Sequence, residues 1–200
     1  MGLQHREPRR PFFRKETFRQ LLHPLVRALS AMRIRPDSLT AAGWAFSVGA
    51  AILFALGYTR LAGGVMLFAG LFDALDGAVA RESNQMSDFG AFLDSTLDRI
   101  SESAVFVGVI FFYAVSSRPY EALIAGAAMA FSLMTSYARA RAEGLGLKCE
   151  VGILERAGRV LILSISSILG FLTLGVGLVA AGALVTTAQR ILHVRRMTRA

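Results

Sequence analysis

The chain has 200 residues, enough for one domain, and 54% of them are hydrophobic, with a mean hydropathy of +0.51. The apolar residues fall in blocks long enough to cross a hydrocarbon layer of roughly 30 Å, which predicts an integral membrane protein. The formal charge is +8. Because the basic residues flank the apolar blocks, we expect them to face anionic lipid and phosphate groups, and we expect no nucleic-acid partner. The single cysteine, Cys149, excludes an internal disulfide and a thiol metal cluster.

Residues 1–35 form a basic N-terminal segment ahead of the apolar blocks. Within it, residues 16–32 carry apolar side chains at helical spacing, with basic and polar residues off that stripe. This pattern predicts an amphipathic helix lying in the membrane interface. The alternative is a helix on the soluble side that packs on the rest of the protein. The polar, Arg-rich start of the chain is not typical of a cleaved signal peptide.

Residues 36–200 predict an all-α bundle of six membrane spans. The first span opens at the helix-start signal Pro36-Asp37-Ser38, and a turn near Gly175 separates the last two. Of the 22 basic residues, 20 then lie on the side that holds both termini, which the positive-inside rule assigns to the cytoplasm. A multi-pass protein of the cell membrane is therefore expected. The predicted spans cover about 38–58, 61–81, 89–115, 121–142, 155–174 and 176–193.

Four aspartates interrupt the apolar pattern of the second and third spans. Asp73 and Asp76 share a helix face on the second span, and Asp94 and Asp98 share one on the third. Because the joining loop, 82–88, is short, we expect the two helices to be antiparallel neighbours with their carboxylates converging near the cytoplasmic boundary. Carboxylates there are costly unless they are paired, hydrated or bound to metal. Their oxygens suit Mg²⁺ or Mn²⁺, and two such ions would clamp both sides of a displacement at phosphorus.

These aspartates belong to a longer pattern that resembles the signature of the CDP-alcohol phosphotransferase family. Its eight fixed residues over 26 positions are Asp73-x2-Asp76-Gly77-x2-Ala80-Arg81-x8-Gly90-x3-Asp94-x3-Asp98. The resemblance implies a six-helix membrane fold with an interfacial N-terminal helix, and a homodimer. It also implies metal-dependent transfer of a phosphatidyl group from CDP-diacylglycerol, or from a CDP-linked archaeal lipid, to an alcohol with release of CMP.

The resemblance further implies a role for each matched residue. Asp73, Asp76 and Asp94 would be metal ligands. Asp98 would be a further ligand, or the general base that takes the proton from the acceptor hydroxyl. The nucleotide would contact six residues of the signature, together with the hydroxyl of Ser87, which lies between Arg81 and Gly90. The six signature residues are Asp73, Asp76, Gly77, Ala80, Arg81 and Gly90.

Two other interpretations of the aspartates remain. In a small membrane transporter they would form an ion path, but such sites normally lie near the midplane of the membrane rather than at one boundary. In a purely structural network they would pair with Arg81, Arg99 and Arg159, which are poorly placed to pair all four. Both interpretations are therefore less favoured than an enzyme.

A second group of basic residues lies at 136–159, between the fourth and fifth spans. Cations there anchor the chain by the positive-inside rule, or bind a phosphate carried by the acceptor. The stretch resembles the phosphatidylinositol-phosphate and archaetidylinositol-phosphate synthase branch of the family. That resemblance implies that Arg139, Arg156 and Arg190 bind the phosphate of inositol phosphate. Arg139 stands where that branch commonly has Lys, so glycerol 3-phosphate remains the next candidate.

Overall fold

The computed structural model describes residues 23–28, 32, 36–82 and 87–199, and the regular structure in these residues is helical, with no strand. The prediction of an all-α protein is therefore confirmed for this part of the chain. A short helical segment covers 23–28, and the first long helix begins at the predicted Pro36. The six longer helices are α1 Pro36–Ala55, α2 Thr59–Glu82, α3 Asp88–Val115, α4 Pro119–Glu143, α5 Arg156–Ile168 and α6 Leu172–Met197.

Four of these helices, α1, α2, α4 and α6, are long and apolar enough to cross a membrane. The chain is a helical membrane protein. Helix α3 carries its charged residues in its first half, and α5 has only 13 residues. Neither therefore meets the same criterion, and the count of six spans stays a prediction.

The six helices close into a ring in which each packs against two neighbours. Around the ring the order is α1, α2, α5, α6, α4 and α3, and α3 then packs against α1. Every helix contributes to an apolar core inside the ring, where Phe54, Phe106 and Val176 are at most 1% exposed. In this order α3 and α5 stand on opposite sides of the ring.

The two helices that carry the aspartates hardly contact each other within the described residues. The prediction that α2 and α3 are direct neighbours is wrong, because both pack on α1 instead. The short connection between α2 and α3 requires only that the end of α2 and the start of α3 lie close together. It does not determine the angle between the two helix axes, so the helices can diverge beyond that point. Side chains from elsewhere can therefore reach between the carboxylates of α2 and α3.

The turn between the last two helices lies at 169–171, so the prediction of a turn near Gly175 is wrong. Gly170 has a φ of +84°, the left-handed conformation that ends many helices and that glycine adopts without strain. Gly175 lies inside α6, where a side chain would overlap Ser166 of α5. Glycine at 175 thus permits close packing of two helices.

Most of the predicted interfacial helix, 16–32, lies outside the described residues. In the described part, Val26 is buried against Leu39 of α1 and against Leu75 and Val79 of α2. Segment 23–28 therefore packs on the same stretch of α2 that carries the first two aspartates.

Gly108 sets the spacing of α1 and α3. A methyl group at this position would overlap the backbone carbonyl of Ala51, which cannot move without shifting α1. We expect Gly108→Ala to destabilise the protein by about 1–3 kcal/mol because the added volume forces the two helices apart. Thermal unfolding of the purified protein in detergent measures this as a lower Tm.

Gly126→Ala is the matched control for this prediction. A methyl group at Gly126, inside α4, would meet no atom within 4 Å. Since alanine favours the helix by about 1 kcal/mol over glycine, Gly126→Ala is expected to keep or raise the Tm. Equal Tm values for the two variants would contradict the close approach of α1 and α3.

Candidate active site

Helix α1 fixes the position of the two aspartates on α2. Asp76 is 5% exposed and both of its oxygens accept hydrogen bonds. Thr40 Oγ1 donates to Oδ2 at 2.7 Å, and the Gly77 amide donates to Oδ1 at 2.5 Å. One turn beyond Thr40, a methyl group at Gly43 would lie 3.5 Å from Asp73 Oδ1, so α1 passes close to that carboxylate. The sequence analysis missed both α1 residues, because a threonine and a glycine are ordinary in an apolar helix.

The start of α3 is held by Ser87, one of the predicted nucleotide contacts. Its hydroxyl accepts a hydrogen bond from the Gly90 amide at 3.0 Å and so caps the helix. This cap satisfies one of the free amides at the start of the helix that carries Asp94 and Asp98. In this arrangement the Ser87 hydroxyl can still donate its own proton to a ligand.

Arg156, the first residue of α5, connects the two halves of the signature. One of its terminal nitrogens is paired with Asp73 of α2, and the other lies 2.8 Å from Oδ1 of Asp98 on α3. Asp94 lies within electrostatic range of Asp73, Asp76 and Arg156. The structure thus brings the four aspartates together at one end of the ring, around a cation that the sequence analysis assigned to the acceptor phosphate.

The donor atoms at this site suit a divalent cation. No three His, Cys, Asp or Glu side chains within the described residues stand in an arrangement that would hold one. The carboxylates of Asp73 and Asp98, however, already share a single cation, the guanidinium of Arg156. Hard carboxylate oxygens from facing helices are the ligands that Mg²⁺ and Mn²⁺ prefer. The chemical types of the residues present, rather than the arrangement that they have around Arg156, therefore fit a divalent ion.

The three predicted acceptor residues have separate partners in the structure. Arg139 pairs with Glu143 on the surface of α4 at 2.8 Å, and Arg156 is held by the aspartates. Arg190 is 3% exposed. Its guanidinium donates to the backbone carbonyl of Val151 at 2.9 Å and to that of Thr135 at 2.6 Å.

Arg190 therefore fastens the connection 144–155 to α4 and α6. It lies within electrostatic range of Arg139, Glu155 and Arg159. A surface cavity of about 440 Å³ between this connection and the end of α6 is not lined by Arg139, Arg156 or Arg190. That cavity consequently does not correspond to the predicted acceptor site.

Comparison with known proteins assigns this arrangement to a family. The family model for CDP-alcohol phosphatidyltransferase matches residues 33–191. The chain belongs to the CDP-alcohol phosphatidyltransferase family. The resemblance seen in the eight-residue signature is thereby confirmed.

Curated relatives and solved structures match almost the whole chain. The phosphatidylinositol phosphate synthase of Mycobacterium tuberculosis is 36% identical over 192 residues, which cover 90% of this chain and 88% of that protein. The archaetidylinositol phosphate synthase of Methanothermobacter thermautotrophicus is 33% identical over 187 residues, covering 90% of this chain and 91% of that protein.

Two crystal structures of the Mycobacterium tuberculosis synthase share this fold. The structure with CDP-DAG bound has a TM-score of 0.79 at 34% identity and covers 88% of this chain and 94% of that chain. The structure in complex with manganese and citrate has a TM-score of 0.78 at 35% identity and covers 86% of this chain and 87% of that chain.

A buried ion pair supports the aspartates of this phosphatidyltransferase-family chain. Glu102 lies one turn beyond Asp98 on α3, and Arg159 lies one turn beyond Arg156 on α5. Their side chains are 5% and 2% exposed and are joined by two hydrogen bonds, of 2.6 Å and 2.8 Å. Because α3 and α5 stand opposite each other, the pair braces the ring from one side to the other. It also holds the backbone of α5 one turn from Arg156, and so limits the position from which the Arg156 side chain extends.

Sequence reasoning missed Glu102 and gave Arg159 no partner. The available signal was spacing, since Asp94, Asp98 and Glu102 follow at intervals of four on α3. Only the ring order shows that this face of α3 looks toward α5. The spacing alone is therefore compatible with any neighbouring helix.

Glu102→Gln is expected to destabilise the protein by about 3–5 kcal/mol, because it leaves the buried guanidinium of Arg159 without a counter-charge. Chemical or thermal unfolding in detergent measures the loss. Replacing both residues with methionine should recover most of the stability, since a buried ion pair is often no more stable than apolar side chains of similar size.

Glu121→Gln is the control for this variant. Glu121 pairs with Arg118 at 2.8 Å, but both side chains are partly exposed, at 24% and 44%. A surface pair of this kind contributes little to stability because water and salt screen it, so this variant should unfold almost like the parent. Equal losses for Glu102→Gln and Glu121→Gln would show that the Glu102–Arg159 pair is not a structural brace.

Proposed function

We propose that this chain transfers the phosphatidyl group of CDP-diacylglycerol, or of a CDP-linked archaeal lipid, to the hydroxyl of inositol phosphate, with release of CMP. The observation that carries the proposal is the convergence of carboxylates from α2 and α3 on one cation, inside a family signature and beside a group of arginines. The synthase relatives support inositol phosphate as the polyol phosphate. They do not favour glycerol 3-phosphate.

The metal ligands in this proposal are Asp73, Asp76, Asp94 and Asp98, which would hold Mg²⁺ or Mn²⁺, with two ions at full occupancy. The manganese complex of the Mycobacterium tuberculosis synthase supports a divalent ion. When bound, such ions offset the negative charge of the pyrophosphate and of the departing CMP. Thr40 and the Gly77 amide hold the Asp76 carboxylate in a single orientation toward that site.

The nucleotide would lie against the open face of the signature, contacting Asp73, Asp76, Gly77, Ala80, Arg81, Ser87 and Gly90. A methyl group at Gly77 would meet only the guanidinium of Arg81, at 3.4 Å or more. That face of α2 is therefore free to receive a flat base close to the backbone. The exposed Arg81 guanidinium can follow a bound phosphate or base because no packing holds it in place.

Asp98 would act as the base in the transfer. Its carboxylate accepts the proton of the acceptor hydroxyl. The oxygen of that hydroxyl then forms a bond to the phosphorus that carries the diacylglycerol. The bond between that phosphorus and the bridging oxygen of the pyrophosphate breaks, and CMP departs with the electron pair. Arg139 and Arg156 would hold the acceptor's own phosphate, with Arg190 completing the site.

The same proposal places the protein in the cell membrane with its site facing the cytoplasm. The distribution of basic residues supports this orientation, with 20 of the 22 on the side of the aspartates. We propose six spans over 36–200, an interfacial helix within 1–35, and a homodimer as implied by the family. Val26 packing on α2 supports a position for the N-terminal helix next to the site.

Purified protein with CDP-diacylglycerol, Mg²⁺ or Mn²⁺ and inositol phosphate is expected to release CMP and to form a phosphatidylated inositol phosphate. The assay follows CMP by chromatography and the lipid by mass spectrometry. Glycerol 3-phosphate, free inositol and serine serve as comparison acceptors. Turnover with glycerol 3-phosphate alone would refute the inositol assignment. Ion uptake by liposomes containing the protein, without CMP from any acceptor, would instead identify a transporter.

Asp98→Asn is expected to lower kcat by about 10²-fold or more, because the amide cannot take the proton from the acceptor. Binding of CDP-diacylglycerol, measured by calorimetry, should stay within a few-fold of the parent. Asp88→Asn, on the exposed first turn of α3, is the control and should retain turnover. If Asp98→Asn loses donor binding as completely as Asp73→Asn, its main role is metal ligation instead.

A further inference from the structure

Arg156 occupies oxygens that the proposed reaction assigns to a metal ion. It contacts one carboxylate on α2, that of Asp73, and one on α3, that of Asp98. The three side chains are only 17–25% exposed, so water screens these contacts incompletely. The guanidinium is the cation that neutralises the facing pair in this arrangement.

Arg156 and a divalent ion are competitors for that position. A metal ligand must offer its oxygen lone pairs to the ion, and these are the lone pairs that the Arg156 nitrogens use. A guanidinium left in place would also be held within a few ångströms of a doubly charged ion, in surroundings that screen charge poorly. Arg156 must therefore leave Asp73 and Asp98 when a divalent cation binds between them.

Two features of the structure favour the departure of Arg156 from the aspartates. Its Nε atom is buried without a hydrogen-bond partner among the described residues, so its present position does not satisfy all of its donors. The Glu102–Arg159 pair holds the backbone of α5 one turn away, which means that only the Arg156 side chain has to move. The long arginine side chain has several rotatable bonds, so it can leave the aspartates while its backbone stays in place.

The N-terminus of α5 offers a phosphate group partial positive charge beside Arg156. Arg156 begins α5, and the preceding Glu155 makes no side-chain capping bond to the helix. The N-terminal turn of α5 therefore keeps its partial positive charge on that side. Arg190 of α6 and Arg139 of α4 lie within electrostatic range of each other, and Glu155 lies within range of both.

We infer that Arg156 is shared between two sites: it pairs with Asp73 and Asp98 until a divalent ion takes their oxygens, and it then binds the phosphate of the acceptor. The inference rests on the proposed function and adds a coupling to it. Because coupling between two ligands is reciprocal, metal ion and acceptor phosphate bind cooperatively, each raising the affinity for the other. Typical couplings of this kind change affinity by about 5-fold to 150-fold.

The first test measures Mn²⁺ affinity by the electron paramagnetic resonance signal of the free ion, using the full-length protein in detergent. Arg156→Gln removes both the competitor and a repelling charge, so it is expected to bind Mn²⁺ at least about 5-fold more tightly than the parent. Arg139→Gln, which removes an arginine paired with Glu143 rather than with the aspartates, should leave the Mn²⁺ affinity unchanged. Unchanged or weaker Mn²⁺ binding by Arg156→Gln would overturn the inference.

Arg156→Lys keeps the test decisive if the glutamine variant does not fold. Lysine carries the same charge but cannot form the two-pronged contact with both carboxylates. Its Mn²⁺ affinity is expected to lie above that of the parent. A lysine variant that binds Mn²⁺ no more tightly than the parent would count against the exchange.

The second test measures inositol phosphate binding by calorimetry with and without Mn²⁺. The parent is expected to bind it at least about 5-fold more tightly when Mn²⁺ is present, and Arg156→Gln should lose this enhancement. An enhancement that persists in Arg156→Gln would mean that the ion itself attracts the phosphate, and would refute the role of Arg156. The inference and the proposed function can fail separately. Mn²⁺ affinity is measured without turnover and tests only the inference, whereas CMP release from the parent protein tests only the proposed function.

Discussion

Carboxylates on membrane helices need a nearby cation, and this requirement organises the structure. Asp73 and Asp98 project from α2 and α3, which pack on α1 rather than on each other. Arg156 reaches them from α5, the helix opposite α3 in the ring. Without a cation at that point, the carboxylates would repel one another in surroundings that screen charge poorly. The proposed metal ion would meet the same need, so the proposed function rests on the constraint that also pairs Arg156 with the aspartates.

The ring of helices encloses an apolar core and carries the cluster of aspartates at one end. Apolar side chains from all six helices fill its interior, and the Glu102–Arg159 pair spans it between the core and the aspartates. Helix α1 forms a further wall, where Thr40 holds Asp76 and Gly43 lets the backbone pass close to Asp73. These contacts hold the helix backbones in place around the aspartates. The movable part of the site is thereby reduced to side chains, Arg156 above all.

The cluster of carboxylates was predictable from the sequence, but its supporting contacts were not. Four aspartates at helical spacing predict a cation site because the cost of a carboxylate in an apolar helix is a local property. Glu102 fits the same spacing, yet its partner is 57 residues away on α5. The sequence around an arginine does not show whether its side chain pairs with a carboxylate on α3 or binds a phosphate. Arg156 was consequently assigned to the acceptor alone, although the structure pairs it with the aspartates.

Sequence by itself determined that this is a helical membrane protein, where its helices begin within a few residues, and which faces carry the aspartates. Helical periodicity, apolar length and the signature are properties of short segments, so they survive without knowledge of the fold. Tertiary structure decided the order of the helices around the ring, the turn at Gly170 and the partner of each charge. Those features depend on which surfaces pack together over long separations in the chain. The four aspartates were therefore visible in the sequence, whereas the arginine that holds two of them was visible only in the fold.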